Sequence, residues 1–265
     1  MTKKNPALLP ILDAKEVNAF LQRVPLAVDR GHFADFVLGF PHKYLATTPA
    51  GEVLKHYMLM EALRDKPVIS SLSRESSLSK LCLVARDRRA LFSRLAGTLS
   101  SFGMDIVGAE AFANASAFVL DTFAFVDPEN RFADDSQRRQ FQVFLEQVVE
   151  GKEDVAPSLA ERLAAVRRAL AAAPLAATFD DDAHPDATAV TVSGANHFGL
   201  LYLLSRCFSE GGYNIEIAFV ETPDDRVRDQ FWLTRDGGKL TEEMRADLAA
   251  RISTLGGGRD GSHEF

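Results

Sequence analysis

The chain has 265 residues, enough for two small domains with connecting helices, and its 46% hydrophobic and 25% charged composition is that of an ordinary globular protein. A formal net charge of −7 argues against nucleic acid or an anionic membrane as the main partner, because phosphate recognition needs clustered Lys and Arg. Nineteen Phe against one Trp and four Tyr point to aromatic packing in cores rather than to a base-stacking platform. There is no run of eighteen apolar residues and no apolar segment with a small-residue cleavage site behind Lys3 and Lys4, so the expected location is the cytoplasm. Cys82 and Cys207 both lie in apolar stretches and are expected as buried free thiols.

Residues 11–65 read as helical. Asp13 can cap a helix through Val17, Phe20, Leu21 and Val24 that ends at Pro25; a second apolar stretch runs from Phe33 to Phe40 and ends at Pro41. Thr48 and Pro49 supply an N-cap and a first helical residue for a third helix, whose packed face would carry Val53, Leu54, Tyr57, Met58 and Met60. Residues 70–79 (SSLSRESSLS) are Ser-rich and read as a linker.

From Lys80 the pattern changes. Lys80–Ala85 is a short apolar strand, Ala90–Phe102 has helical spacing with Gly103 as its stop, and 104–113 and 117–127 are two strands joined at Asn114–Ala115–Ser116. Helices follow at 136–149 and 158–172. The same order then recurs: strand 188–196, helix 199–209 closed by Gly211–Gly212, strands 213–221 and 227–235, and a helix capped by Thr241. Leu91 and Leu200, Leu95 and Leu204, Gly103 and Gly212, and Ile106 and Ile215 are each 109 apart, whereas Asp121 and Asp229 are 108 apart. Two copies of strand–helix–strand–strand–helix imply an α+β chain of two tandem ferredoxin-like βαββαβ modules with antiparallel sheets behind an N-terminal helical segment. Leu175–Asp180 would be the last strand of the first copy. Nothing strand-like follows Leu255, so the second copy either lacks its last strand or takes it from elsewhere. The expected boundaries are a helical segment at 1–69, a first module with an extra helix at 78–183, a second at 186–255 and a flexible tail at 256–265.

The run ARDRRALFSRLAGTLSSFGMDIVGAEAFANASAFVLDTFAFVD (85–127) resembles the first ACT module of the bacterial bifunctional PII uridylyltransferase/uridylyl-removing enzymes, which carry D-[KR]-P-G-L-F at the strand–helix turn, a Gly-x-[DN]-I step and an L-D-T-F strand. Residues 173–236 resemble the inter-module strand and second ACT module of the same family. FPHKYLATTPAGEVLKHYMLMEAL (40–63) is similar to the helical lead-in to that pair. The resemblance covers roughly 30–255. The family's nucleotidyltransferase motif (Gly-Ser with a nearby Asp-x-Asp) and its adjacent His-Asp metal pair have no counterpart: the one Gly-Ser is Gly261–Ser262, and none of the six His is followed by Asp. The resemblance therefore implies the fold and a regulatory role, and not the activity. In the first module the family's Pro-Gly has become Arg89–Ala90, while the second keeps the glycine as Gly199.

ACT modules hold a small ligand, usually an amino acid, where the first strand turns into the first helix. There a helix N-terminus offers free N–H groups to a carboxylate, and a polar residue opening the next strand receives the ammonium. Carried over residue by residue, this points to Asn196, His197, Gly199, Leu200, Asn214 and Ile215 in the second module. In the first it points to Asp87, Arg88, Ala90, Leu91, Asp105 and Ile106; Asp87 and Asn196 could equally be plain helix caps. Arg86, Arg88 and Arg89 form a basic cluster that suits an anion or solvent. Asp180, Asp181, Asp182, His184 and Asp186 are the sole metal-like constellation, and a turn before Pro185 explains them as well. The expected function is thus a non-catalytic regulatory protein without cofactor that senses an amino acid such as glutamine, pairs as a homodimer and signals to a protein partner. The alternatives are a regulatory subunit or remnant of a uridylyltransferase acting in trans, a ligand-free interaction module, and an enzyme built on the Asp180–Asp186 cluster.

Overall fold

The computed structural model describes residues 28–75, 77–222 and 226–255. The helix expected after Asp13 and the tail expected at 256–265 lie outside them. Among the described residues three helices come first: α1 (Arg30–Leu38), α2 (His42–Thr47) and α3 (Ala50–Leu63). Asp29 caps α1 by accepting from the amides of Gly31 and His32. Pro49 itself occupies the N-cap position of α3, one residue later than the sequence suggests, and its carbonyl accepts from Glu52 and Val53.

The first module contains β1 (Val68–Glu75), β2 (Leu78–Arg86), α4 (Leu91–Ser101), β3 (Asp105–Ala113), β4 (Phe118–Val126) and α5 (Asp135–Glu150). After α6 (Ala156–Ala172), the second contains β5 (Ala176–Asp180), β6 (Thr188–Ala195), α7 (Leu200–Glu210), β7 (Asn214–Glu221), β8 (Arg226–Thr234) and α8 (Glu242–Ser253). All eight strands join one antiparallel sheet in the order β1-β2-β4-β3-β7-β8-β6-β5. The expected α+β class with two repeated ferredoxin-like units is the one observed.

The outer strands differ from expectation. Residues 70–79 are no linker: most of them form a hairpin in which Val68 pairs with Ala85 and Glu75 with Leu78. Leu175–Asp180 does not complete the first copy either, because β5 pairs with β6 from Ala176↔Ser193 to Asp180↔Ala189. Each module thus takes its outermost strand from the segment just before it, in the order ββαββα. The outermost strand of the second copy is supplied from upstream, by β5.

The strand order is palindromic, and the seam shows why. At the β3–β7 junction Glu110 pairs with Phe219, and these two are separated by the repeat offset of 109, so a pseudo-twofold axis passes between them. Small residues line that seam on the side of α4 and α7, with Ala111 opposite Ala218 and Ala109 opposite Val220. There α4 and α7 pack against each other, and the contact requires Gly97: a Cβ on it would lie 2.6 Å from Val155 Cγ2 and 2.8 Å from Tyr202 Cδ2. The opposite face of the sheet is covered by α1–α3, whose Phe33, Phe36, Phe40, Tyr44 and Tyr57 pack on Val84, Phe112, Leu120, Ile217 and Trp232. Burial on both faces explains why β2 reads as a continuous apolar run rather than an alternating one: Leu81, Leu83 and Ala85 face one helical layer, Cys82 and Val84 the other.

Candidate functional site at the module boundary

The turn from β6 into α7 is built around Gly199, which stands at the helix N-cap with φ +74. A left-handed residue there costs glycine little and lets the chain enter the helix sharply. Leu200 N–H donates to His197 O (3.0 Å) and Leu203 N–H to Gly199 O (3.2 Å). Gly199 offers no side chain to cap the helix, and among the described residues no side-chain hydrogen bond to the amides of its first turn is seen.

Beneath the turn is a small cavity, with room for about one water, lined by Asn196, His197, Thr222 and Asp229 of the second module and Ser100 and Ile106 of the first. Antiparallel pairing brings the modules together here. The start of β3 lies beside the end of β7, and Thr222 N–H donates to Val107 O at 3.2 Å. Two polar side chains in the lining have buried atoms without a hydrogen-bond partner among the described residues: Asp229 Oδ1 and Ser100 Oγ, each on a residue only 1% exposed. Burial pushes the Asp229 carboxyl up to about 7, against the opposing pull of a hydrogen bond from the Glu221 backbone.

Of the residues expected to act together in the second module, Asn196, His197, Gly199 and Leu200 share this cavity. Asn214 and Ile215 do not line it; they open β7 at its other end, paired with Thr234 and Leu233. Ile106, which the sequence assigned to the first module's own site, lines it instead, together with Val220, Val227 and Asp229 of β7 and β8. Asp105, next to it, pairs with Val126 and is not part of the lining.

The pseudo-equivalent turn in the first module has Ala90 at φ 60, a left-handed conformation kept without the glycine. Its neighbours are engaged elsewhere. Asp87 N–H donates to Ala117 O (2.9 Å), Leu91 is buried in the core, and Arg86 lies over the Phe118 ring at 4.3 Å. Arg88 donates to Val149 O (3.3 Å) and Arg89 reaches across the boundary to Ser209 O (3.4 Å). The basic cluster therefore serves packing and helix C-terminal carbonyls.

The acidic run ties down a loop. Asp180 accepts from the amides of Asp182 (2.8 Å) and Ala183 (3.1 Å), Asp181 receives Thr188 Oγ1 (2.7 Å) and Arg245, and His184 Nδ1 accepts from the amides of Asp186 and Ala187. Among the described residues no three His, Cys, Asp or Glu side chains are grouped to hold a metal, and no helix is long and apolar enough to cross a membrane. Burial pushes the thiols of Cys82 and Cys207 up to about 11 and about 12, which leaves them unreactive as nucleophiles.

Sequence reasoning missed Ser100, Thr222 and Asp229. A signal for one was present: Asp229 falls on the same inward face of its strand as Val227 and Phe231, an unusual place for a carboxylate.

Comparison with known proteins brings out bifunctional uridylyltransferase/uridylyl-removing enzymes. The chain is 31% identical over 185 residues to the bifunctional uridylyltransferase/uridylyl-removing enzyme of Caulobacter vibrioides, matching 67% of this chain and 20% of that protein. It is 29% identical over 232 residues to that of Azospirillum brasilense (83% and 25%) and 23% identical over 214 residues to that of Erythrobacter litoralis (78% and 23%). The chain thus spans a fifth to a quarter of the length of these relatives. No family model matches it.

Proposed function

With the bifunctional uridylyltransferase/uridylyl-removing enzymes as its relatives, we propose that this chain is a regulatory protein without catalytic activity of its own. Its paired modules sense an amino acid, glutamine being the first candidate, in the cytoplasm, and pass the signal to a protein partner through a homodimer. The observation that carries this reading is the cavity under the β6–α7 turn. It sits at a helix N-terminus, where amides and the helix dipole favour a carboxylate. Its walls come from both modules, so whatever occupies it senses how the modules are packed. A free amino acid is larger than the space present, so entry would part the boundary between α4 and the turn, and ligand binding would be coupled to module packing by differential affinity for the two arrangements.

A thermal-shift screen of the purified chain against the twenty L-amino acids and common nucleotides tests the proposal. A ligand that binds only the folded state stabilises it by about 2.7 kcal/mol at a hundredfold excess over Kd. The expected result is a shift with one or a few amino acids that Asn196→Ala diminishes. A flat response across the panel would leave a ligand-free interaction module, a reading to which the first module's Ala90 and its engaged arginines already lend weight.

A further inference from the structure

We propose that Asp229 is the residue that reads the effector: its Oδ1, joined by Ser100 Oγ from the other module, receives the ammonium group of an α-amino acid whose carboxylate lies at the N-terminus of α7. This rests on the reading of the chain as an amino-acid sensor and names the residues that select the ligand class.

A buried carboxylate oxygen and a buried hydroxyl, both without partners among the described residues, are costly unless something meets them. They belong to different modules and different elements, Ser100 to the last turn of α4 and Asp229 to the middle of β8, yet they line the same small cavity. The lining holds a carboxylate and a hydroxyl that can accept. It also holds Gly199 and Leu200 at the start of α7, where donors and a partial positive charge gather. These two features ask for opposite things. An inorganic anion would suit the helix and face the carboxylate; a simple cation would suit Asp229 and leave the amides unmet. A zwitterion with its ammonium and carboxylate on one carbon meets both. The apolar remainder of the lining, including Ile106, Val220 and Val227, is left for the ligand's side chain. His197 is the other titratable side chain in the lining. Two contacts in two modules also mean that the ammonium bridges the boundary, whereas the carboxylate is held by the second module alone.

The test uses the whole chain, with each of the twenty L-amino acids as probes in thermal shift and calorimetry. The amino acid that responds is then compared with its analogue lacking the amino group (for glutamine, 4-carbamoylbutanoic acid). The expected result is that Asp229→Asn, folded by circular dichroism, weakens the amino acid at least tenfold, and that Ser100→Ala weakens it several-fold. The analogue should bind the wild-type chain as poorly as the amino acid binds Asp229→Asn. Equal affinity of the amino acid for wild type and both variants, or of the amino acid and its analogue for wild type, overturns the assignment while the sensor reading stands. A wild-type chain that responds to no amino acid overturns both. Should Asp229→Asn fail to fold, Ser100→Ala and the analogue comparison decide the matter.

Discussion

Asp229 is the side chain on which stability and function pull in opposite directions. Its carboxyl, ordinarily near 3.8, is raised to about 7 by burial, so the folded protein binds a proton that the unfolded chain has released over the window between those values. A raised acid favours folding at low pH: stability is greatest below about 4, declines as pH rises toward 7 and is level above it. At about 1.4 kcal/mol per unit, the shift represents a handicap on the order of 4 kcal/mol at pH 8. Asp229→Asn should therefore be more stable than wild type at pH 8, by about 1–3 kcal/mol, with the difference closing as pH falls to 5. Urea denaturation of the two proteins across that range measures it, and an Asn variant less stable at pH 8 would mean that the carboxylate is well paired. His56 acts with the opposite sign. Buried against Tyr44 Oη at 2.9 Å, it is lowered to about 4, so its contribution is present above 6.5 and lost as pH falls toward 4. Comparing wild type with Asp229→Asn cancels that second slope.

Among the elements, the pairing of α4 with α7 sets how closely the modules approach. Gly97 lies in mid-helix, where glycine costs about 1 kcal/mol relative to alanine. The structure explains its presence: Val155 and Tyr202 occupy the space that a Cβ would take. Gly97→Ala should accordingly lower stability by about 1–3 kcal/mol despite the better helix former, because overpacking a tight contact outweighs propensity. Denaturant midpoints of the two proteins check this, and a gain in stability would show that the helices do not meet there. Strand β1 teaches a different lesson. Its polar composition reads as a linker, since an edge strand with an exposed stretch at 71–74 needs no apolar alternation. Only two residues separate it from β2, and so short a closure favours the hairpin over any distant partner. With that edge of β2 taken, β5 goes to β6.

For the molecule as a whole, the continuous sheet and the core that runs beneath α4–α8 make the two modules one cooperative body rather than beads on a string. Trp232, the one Trp in the sequence, packs beneath the α1–α3 layer beside Phe219 and Lys43. Its fluorescence therefore reports the outer face, while far-UV circular dichroism reports all the helices. The expected outcome is a single urea transition with coincident curves from the two probes. Separated midpoints would show that the β3–β7 seam fails to couple the modules.

Local pattern determined much of this protein. The helices and central strands follow from 3.6- and 2-residue periodicity. The two copies follow from the 109-residue offset, and the left-handed turn at Gly199 follows from its residue type. What only the tertiary structure decided is partnership. Which sheet edge an outer strand joins depends on which edges remain open. Ile106 lines the cavity beneath the second module's turn because β3 and β7 run antiparallel across the seam. Asp229 and Ser100 came to line one cavity the same way: it arises from the packing of two copies, and neither copy alone encodes it.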